Sequence, residues 1–326
     1  MVNIRGYLFR RIFQTIITIW VIATMVFVLF RLLPGDPTTM VVDPTFPAET
    51  RAALLQSFGL DRPIGEQYLH YIGNLLRGDF GISFFSREPV LEHLGSRVGN
   101  TIVLALASFL FAYPIGIVCG AFLATRRGRL SESVGLSFTL FFRSAPQFWT
   151  GMLAVTIFSF YLGWFPHSGM RSVGYIAAND FEKYFNIDFL HHLILPVVVS
   201  GLYTMTLPLL LLRNTVLETL NEDYIEMARA KGLPERQVIY RHAVRNSILP
   251  VVTAAAVNIG MALGGMTVIE VVFSWPGLGR EIVQAVTRQD FPVAQGAFLL
   301  LAVMVLLMNL LADLAYAYLD PRISYH

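Results

Sequence analysis

Three features of the sequence predict an all-α polytopic membrane fold with six transmembrane helices. Charged residues make up 14% of the 326 and hydrophobic residues 55%, whereas a soluble domain is about a quarter charged. Residues 12–30 run without a charge, about 28 Å as a helix and close to the roughly 30 Å of a bilayer core. Five more apolar stretches follow, at 101–125, 134–162, 190–212, 248–270 and 297–318.

The first stretch follows Arg5, Arg10 and Arg11, as a signal peptide would. Its apolar run is longer than a signal-peptide core and no small-x-small cleavage site follows, so it reads as an uncleaved span. Pro114, Pro146, Pro196, Pro208 and Pro250 fall in or beside the later stretches. Spanning helices tolerate proline where neighbours satisfy the freed backbone groups. The third stretch is the least regular, because Arg143 and Pro146 interrupt it. Cys119, the one cysteine, excludes an internal disulfide and a cysteine-built metal site.

Six spans put both termini on one side. The termini, loop 126–133 and loop 213–246 hold 13 Lys/Arg in about 60 residues. Loops 33–99, 163–189 and 271–296 hold 9 in about 120. Cationic density marks the cytoplasmic side, and long loops cross regardless of charge. Both termini and loop 213–246 are therefore expected in the cytoplasm. The expected organisation is an N-terminal helix (1–33), an external subdomain (34–99), a five-helix core (100–318) with cytoplasmic loop 213–247, and a tail (319–326). Within the external part, helices are expected near 48–57 and 64–76. Its Tyr68, His70, Tyr71 and Phe80 suit a small folded external surface. The net charge of +2 points to no nucleic acid.

The longest cationic segment, DYIEMARAKGLPERQVIYRHAVRNSILP at 223–250 with five Lys/Arg, lies between two apolar blocks. Asp223 suits a helix N-cap, with Glu226 as the reciprocal partner. Gly232 suits its end and Pro234 the start of another helix. Tyr224, Ile225, Met227 and Ala228 offer apolar contacts; Glu226, Arg229 and Lys231 offer charges; Ala230 favours helix. Two turns are not stable alone and need packing. The local pattern leaves two readings open: a basic loop on anionic headgroups, at about 1 kcal/mol per cation, or a knob that docks into a partner.

The blocks EMARAKG (226–232) and HAVRNSILP (242–250) resemble the EAA loop of ABC-importer permease subunits, with Glu226, Ala228 and Gly232 matching the motif core and Met227 replacing a commoner alanine. LLPGDP (32–37), FGLDRPIGEQY (58–68), GDFGIS (78–83), FSWPGLGREIV (273–283), DFPVAQG (290–296) and DLAYAYLDPRI (313–323) are similar to the dipeptide/oligopeptide subfamily. The blocks cover nearly the whole chain in order. The resemblance implies a type I importer permease in the bacterial inner membrane. It implies a second related permease, two cytoplasmic ATPase subunits, an external solute-binding protein and surrounding membrane lipid as partners. The 223–231 helix would insert into an ATPase cleft, where a fully buried Tyr224 or Ile225 would contribute about 1.5–3 kcal/mol before entropy and desolvation costs. ATP and Mg would be bound by the ATPase; this chain is expected to bind no cofactor and no metal.

No GxxxxGK[ST], HExxH or GxSxG pattern occurs, so the chain itself reads as a non-enzyme. His191 and His192 point to different helix faces, a poor chelate, and read as interfacial, as does His167. Arg143 lies within an apolar stretch, where a cation costs about 2.5–3.5 kcal/mol unless it meets water or a partner. It is a candidate for the translocation path, meeting a peptide carboxylate; the alternatives are snorkelling and pairing across the permease dimer. Ala255, Gly260, Gly264 and Gly265 would permit close helix approach. Together these features read as a permease subunit for di- or oligopeptides, with nickel complexes, glutathione or another small solute as alternative cargo. A stand-alone secondary transporter or channel, which would need intramembrane carboxylates, and a non-transporting structural subunit are the rivals.

Overall fold

The structure, a computed structural model, describes residues 4–32, 62–175, 179 and 181–319. The expected helix at 48–57, the C-terminal tail and most of the block at 32–37 lie outside the described residues. The described chain is helical, and its extended pairing is a single antiparallel bridge, Ile82–Pro89. It divides into two compact units, residues 1–101 with 276–310 and residues 102–275 with 311–324.

The first unit contains α1 (Ile4–Leu32), α2 (Ile64–Leu76), the opening of α3 (Val90–Thr125), α12 (Leu278–Thr287) and most of α13 (Phe291–Leu319). The second contains the rest of α3, then α4 (Leu130–Ser144), α5 (Gln147–Ala154), α6 (Ile187–Thr204), α7 (Thr206–Thr219), α8 (Asp223–Ala230), α9 (Glu235–Gln237), α10 (Val244–Gly264) and α11 (Thr267–Val272). A π-helical segment, Val155–Tyr161, continues α5, and another, Val238–Ala243, joins α9 to α10.

Among the described residues five helices are long and apolar enough to cross a membrane: Phe9–Arg31, Val90–Thr125, Ile187–Thr204, Glu235–Gly264 and Phe291–Leu314. The third expected span, 134–162, is not one helix. Pro146 has no N–H and forces the residue before it out of the helical region. Ala145 accordingly sits at φ −70°, ψ 136°, and separates α4 from α5. The segment expected as loop 213–246 is also mostly helical. α7 continues to Thr219, and the fifth span begins at Glu235 rather than 248.

In the first unit, the blocks GDFGIS and DFPVAQG meet. Buried Asp290 accepts from Ser83 Oγ (2.5 Å) and from the N–H groups of Phe84 (3.1 Å) and Phe85 (3.2 Å). The neighbouring turn is held by Glu281, whose carboxylate accepts from Arg97 Nε at 2.7 Å and lies 3.0 Å from His93 Nε2. Thr101 Oγ1 accepts the first N–H of α12, from Leu278, at 2.8 Å, satisfying one orphan donor of that helix.

In the second unit, α3 crosses α7 with no room for side chains between their backbones. A Cβ on Gly120 would lie 2.5 Å from Leu209 O, and one on Gly116 would lie 2.7 Å from Pro208 Cγ. Gly116 and Gly120 form a small-xxx-small pair, the spacing that lets spanning helices approach closely. Gly264, also expected to permit close approach, has open space within this chain: a Cβ there would meet nothing within 4 Å. Gly120→Val should therefore destabilise the subunit by about 1–3 kcal/mol through overpacking. Gly264→Ala should change stability by less than roughly 0.5 kcal/mol. Thermal unfolding of the purified subunit in detergent reads both.

Candidate functional site: the rooted two-turn helix

α8 is a two-turn helix whose residues divide cleanly between two faces. At 100° per residue, Ile225 and Ala228 share one face, and Asp223, Glu226, Met227 and Ala230 share the opposite one. Ile225 is 0% exposed and Ala228 6%. Both join a cluster with Tyr113, Ala121, Ala124, Leu212, Val216, Val238, Ala243 and Val251. This cluster draws on α3, α7, the second π-helical segment and α10, and the π-helical segment is the main neighbour of α8. Full burial of an isoleucine is worth about 1.5–3 kcal/mol. Ile225 is consequently not available to a partner's cleft, which corrects one expectation for it.

The opposite face is open. Asp223, Glu226, Ala230 and Lys231 are exposed, and Met227 is 59% exposed. Tyr224, on the flank at 38% exposure, accepts a hydrogen bond from Asn246 Nδ2 at 2.8 Å. That bond fixes the ring against the start of α10.

The helix ends are defined by backbone geometry. The N-cap is Glu222, not Asp223, and no side-chain cap forms. The Glu222 carbonyl accepts from Ile225 N–H (2.9 Å) and Glu226 N–H (3.4 Å). Asp223 and Glu226 fall in the first turn and Arg229 in the last, each favourable to the helix dipole. At the other end Gly232 adopts φ +77°, which a side chain would resist. Its N–H reaches Arg229 O at 2.9 Å, and Leu233 N–H reaches Ala228 O at 3.4 Å. This nested pair satisfies two orphan carbonyls. Leu233 packs against the same apolar cluster. Pro234 is the N-cap of α9, as its sequence position suggested.

Arg229 closes the turn. Its Nε and Nη2 donate to Glu235 at 3.2 and 2.9 Å, and Nη1 to Leu220 O at 3.5 Å. The following π-helical segment widens the turn, so residues five apart stack on one face. Val238 and Ala243 are both buried through this register. Two polar ties then lock α7 to α10. Thr219 and Ser247 hydroxyls lie 3.0 Å apart, and Thr215 Oγ1 donates to Ser247 O at 3.2 Å.

A buried ion pair fixes the base of α4. Arg213 donates to Glu132 through Nε (2.9 Å) and Nη2, and Gly128 N–H adds a 2.6 Å bond. These bonds, Arg213's first, hold the Glu132 carboxyl below the ordinary 4.5 despite burial.

Arg143, in the last turn of α4, stands with its guanidinium carbon 4.1 Å from the Tyr203 ring centroid on α6. It is exposed on this chain. It is remote in sequence from α8 and shares none of its contacts. His191 Nε2 lies 2.7 Å from Trp164 O, and His192 Nδ1 lies 2.8 Å from Asp188 O. Among the described residues no three His, Cys, Asp or Glu side chains group in a way that could hold a metal ion. Glu270 is fully enclosed, and its carbonyl accepts Trp275 N–H at 2.8 Å.

Comparison with known proteins agrees with this architecture. Residues 112–325 match the family described as "Binding-protein-dependent transport system inner membrane component", and residues 4–105 match its N-terminal companion. The di/tripeptide transport system permease protein DppB of Pseudomonas aeruginosa is 36% identical, over 98% of this chain and 99% of its own. The oligopeptide transport system permease protein AppB of Bacillus subtilis is 38% identical at the same coverage. The glutathione transport system permease protein GsiC of Salmonella typhi is 37% identical, again over 98% and 99%. A solved chain of the MetNI methionine ABC transporter, in an inward-facing conformation, shares the fold at TM-score 0.51 and 18% identity, over 70% of this chain and 96% of its own. The chain belongs to the binding-protein-dependent transport system inner membrane component family. It is a permease subunit of an ABC transporter, and membership implies ATPase and binding-protein partners.

The sign of the Glu132 shift makes a pH prediction. Because the folded carboxyl is held low, its stabilisation is fully present above 4.5 and is lost as pH falls through the lower folded value. Glu132→Gln should lower stability near neutral pH by about 1–3 kcal/mol and flatten the acid limb. Melting temperature against pH, for wild type and variant, reads this directly.

Proposed function

We propose that this chain forms one half of the translocation path of an importer for di- or oligopeptides and receives force from a separate ATPase through α8. The observation that carries the proposal is the division of α8 into a face rooted in its own subunit and an open face made of Asp223, Glu226, Met227 and Ala230. A two-turn helix floating on a loop would bend under load. One keyed into an apolar cluster shared with α3, α7 and α10 would move them with it, a rigid element coupled to helix packing. Met227 and Tyr224 supply the apolar contact, and Arg229 is reserved for its own loop by Glu235. The assembly would hold two ATPase subunits and a second related permease. ATP hydrolysis would reside in the ATPases, a binding protein would deliver cargo at the outer face, and both termini would lie in the cytoplasm. The external subdomain 34–99 and core 100–318 would divide these tasks.

Peptide cargo is supported by the names of two relatives, and glutathione, itself a small peptide with free carboxylates, by the third. Arg143 fits either. Stacked on Tyr203, its guanidinium keeps its planar N–H fork free for a carboxylate. Arg143→Ala should lower uptake of a carboxylate-bearing peptide about tenfold while leaving complex yield unchanged. Unaltered uptake in a well-assembled variant would remove it from the path.

Two substitutions separate root from contact. Ile225→Ala should destabilise the subunit by about 2–5 kcal/mol. Met227→Asp should leave subunit stability within about 0.5 kcal/mol but weaken ATPase binding roughly tenfold or more. Unfolding curves and pull-down titration measure the two effects. Normal ATPase binding by Met227→Asp would contradict the docking role.

A further inference from the structure

We propose that α2 lies along the membrane interface at the C-terminal end of α1, with its Leu69–Leu76 edge dipped into phospholipid. The inference rests on α1 spanning a membrane and goes beyond the transport reading.

The sequence of α2, IGEQYLHYIGNLL, separates into two arcs when wound at 100° per residue. Ile64, Tyr68, Leu69, Tyr71, Ile72, Leu75 and Leu76 cover one side; Glu66, Gln67, His70 and Asn74 cover the other. α1 occupies only part of the apolar side. Tyr68 and Tyr71 both lie 5.4 Å from the ring of Phe27, centroid to centroid. Leu69 and Leu76 project beyond that contact, 70% and 84% exposed, and Ile64 is 67% exposed.

A hydrogen bond sets the depth. Thr24 Oγ1 donates to Trp20 O at 2.9 Å and meets the Tyr68 hydroxyl at 2.8 Å. Thr24 lies seven residues before Arg31, the first charge after the apolar run, or about 10 Å along the helix. The Tyr68 hydroxyl is therefore held about 10 Å inside the boundary marked by Arg31. Interfacial amphipathic helices bury their apolar face about 5–10 Å into the headgroup and acyl boundary. α1 also presents apolar side chains outward, with Trp20, Met25 and Leu29 all more than half exposed. Arg77, exposed at the C-terminal end of α2, is placed to meet lipid phosphates, whereas Arg62 Nη1 contacts His70 Nε2 on the polar arc; tyrosines are favoured at this level.

The test uses the whole transporter in nanodiscs of phosphatidylethanolamine and phosphatidylglycerol, in a Cys119→Ser background. Single nitroxide labels are attached through Leu69→Cys, Leu76→Cys, Glu66→Cys, Asn74→Cys and, as a reference on α1, Met25→Cys. All five native side chains are exposed, so the fold should tolerate the changes, and retained ATPase activity checks this. Collision with oxygen, relative to a water-soluble nickel chelate, should be roughly fivefold or more greater at 69 and 76 than at 66 and 74. Equal access of the chelate at all four sites would overturn the proposal, as would shielding of 69 and 76 from both reagents, which would mean that protein covers them. If the label at 25 were reached by the chelate, the membrane reading of α1 would fail instead, and the proposal with it.

Discussion

The rest of the subunit depends on the burial of Ile225 and Ala228 in a pocket of their own chain. Two turns of helix have almost no stability of their own, so α8 exists because that pocket exists. The pocket in turn requires the π-helical register that turns Val238 and Ala243 to one side, and the φ +77° turn at Gly232 that brings Leu233 back onto the cluster. Sequence, local geometry and packing therefore converge on a single outcome: a short helix whose outer face is fixed in direction.

Stiffness behind that helix comes from close contact rather than from many polar links. Gly116 and Gly120 let the α3 backbone touch α7 directly, and the Thr215, Thr219 and Ser247 group joins α7 to α10. The Arg213–Glu132 pair adds the base of α4. A packed interface of this kind shifts between discrete arrangements rather than deforming continuously. Motion applied at Met227 would therefore reach the apolar helices as a rigid displacement, whereas a basic tether would dissipate it.

Much of this was legible in the sequence. Five of the six apolar stretches, the Gly232 stop and the Pro234 start rest on strong local preferences, and each of these has its counterpart in the structure. What was missed depended on distant partners. Tyr224, Ile225, Met227 and Ala228 are all apolar in a row of five, and nothing local tells which pair faces inward; the pocket decides. The cap shifted from Asp223 to Glu222 because backbone carbonyl bonds, not a side chain, close the first turn. Pro146 was recognised as an interruption, but its full effect, a break between two helices, follows from the extended conformation it imposes on Ala145. The Gly116–Gly120 pair was visible in PIGIVCGAF, yet its importance appears only when Leu209 lies across it. Arg143's partner, Tyr203, is sixty residues away in the chain, beyond any local pattern.

The most direct measurement is a structure of the assembled transporter with nucleotide-bound ATPase. The account predicts that Glu226, Met227 and Ala230 lie within contact distance of the ATPase while Ile225 remains enclosed by its own subunit. An ATPase gripping another segment, with the open face of α8 touching only solvent or lipid, would contradict it.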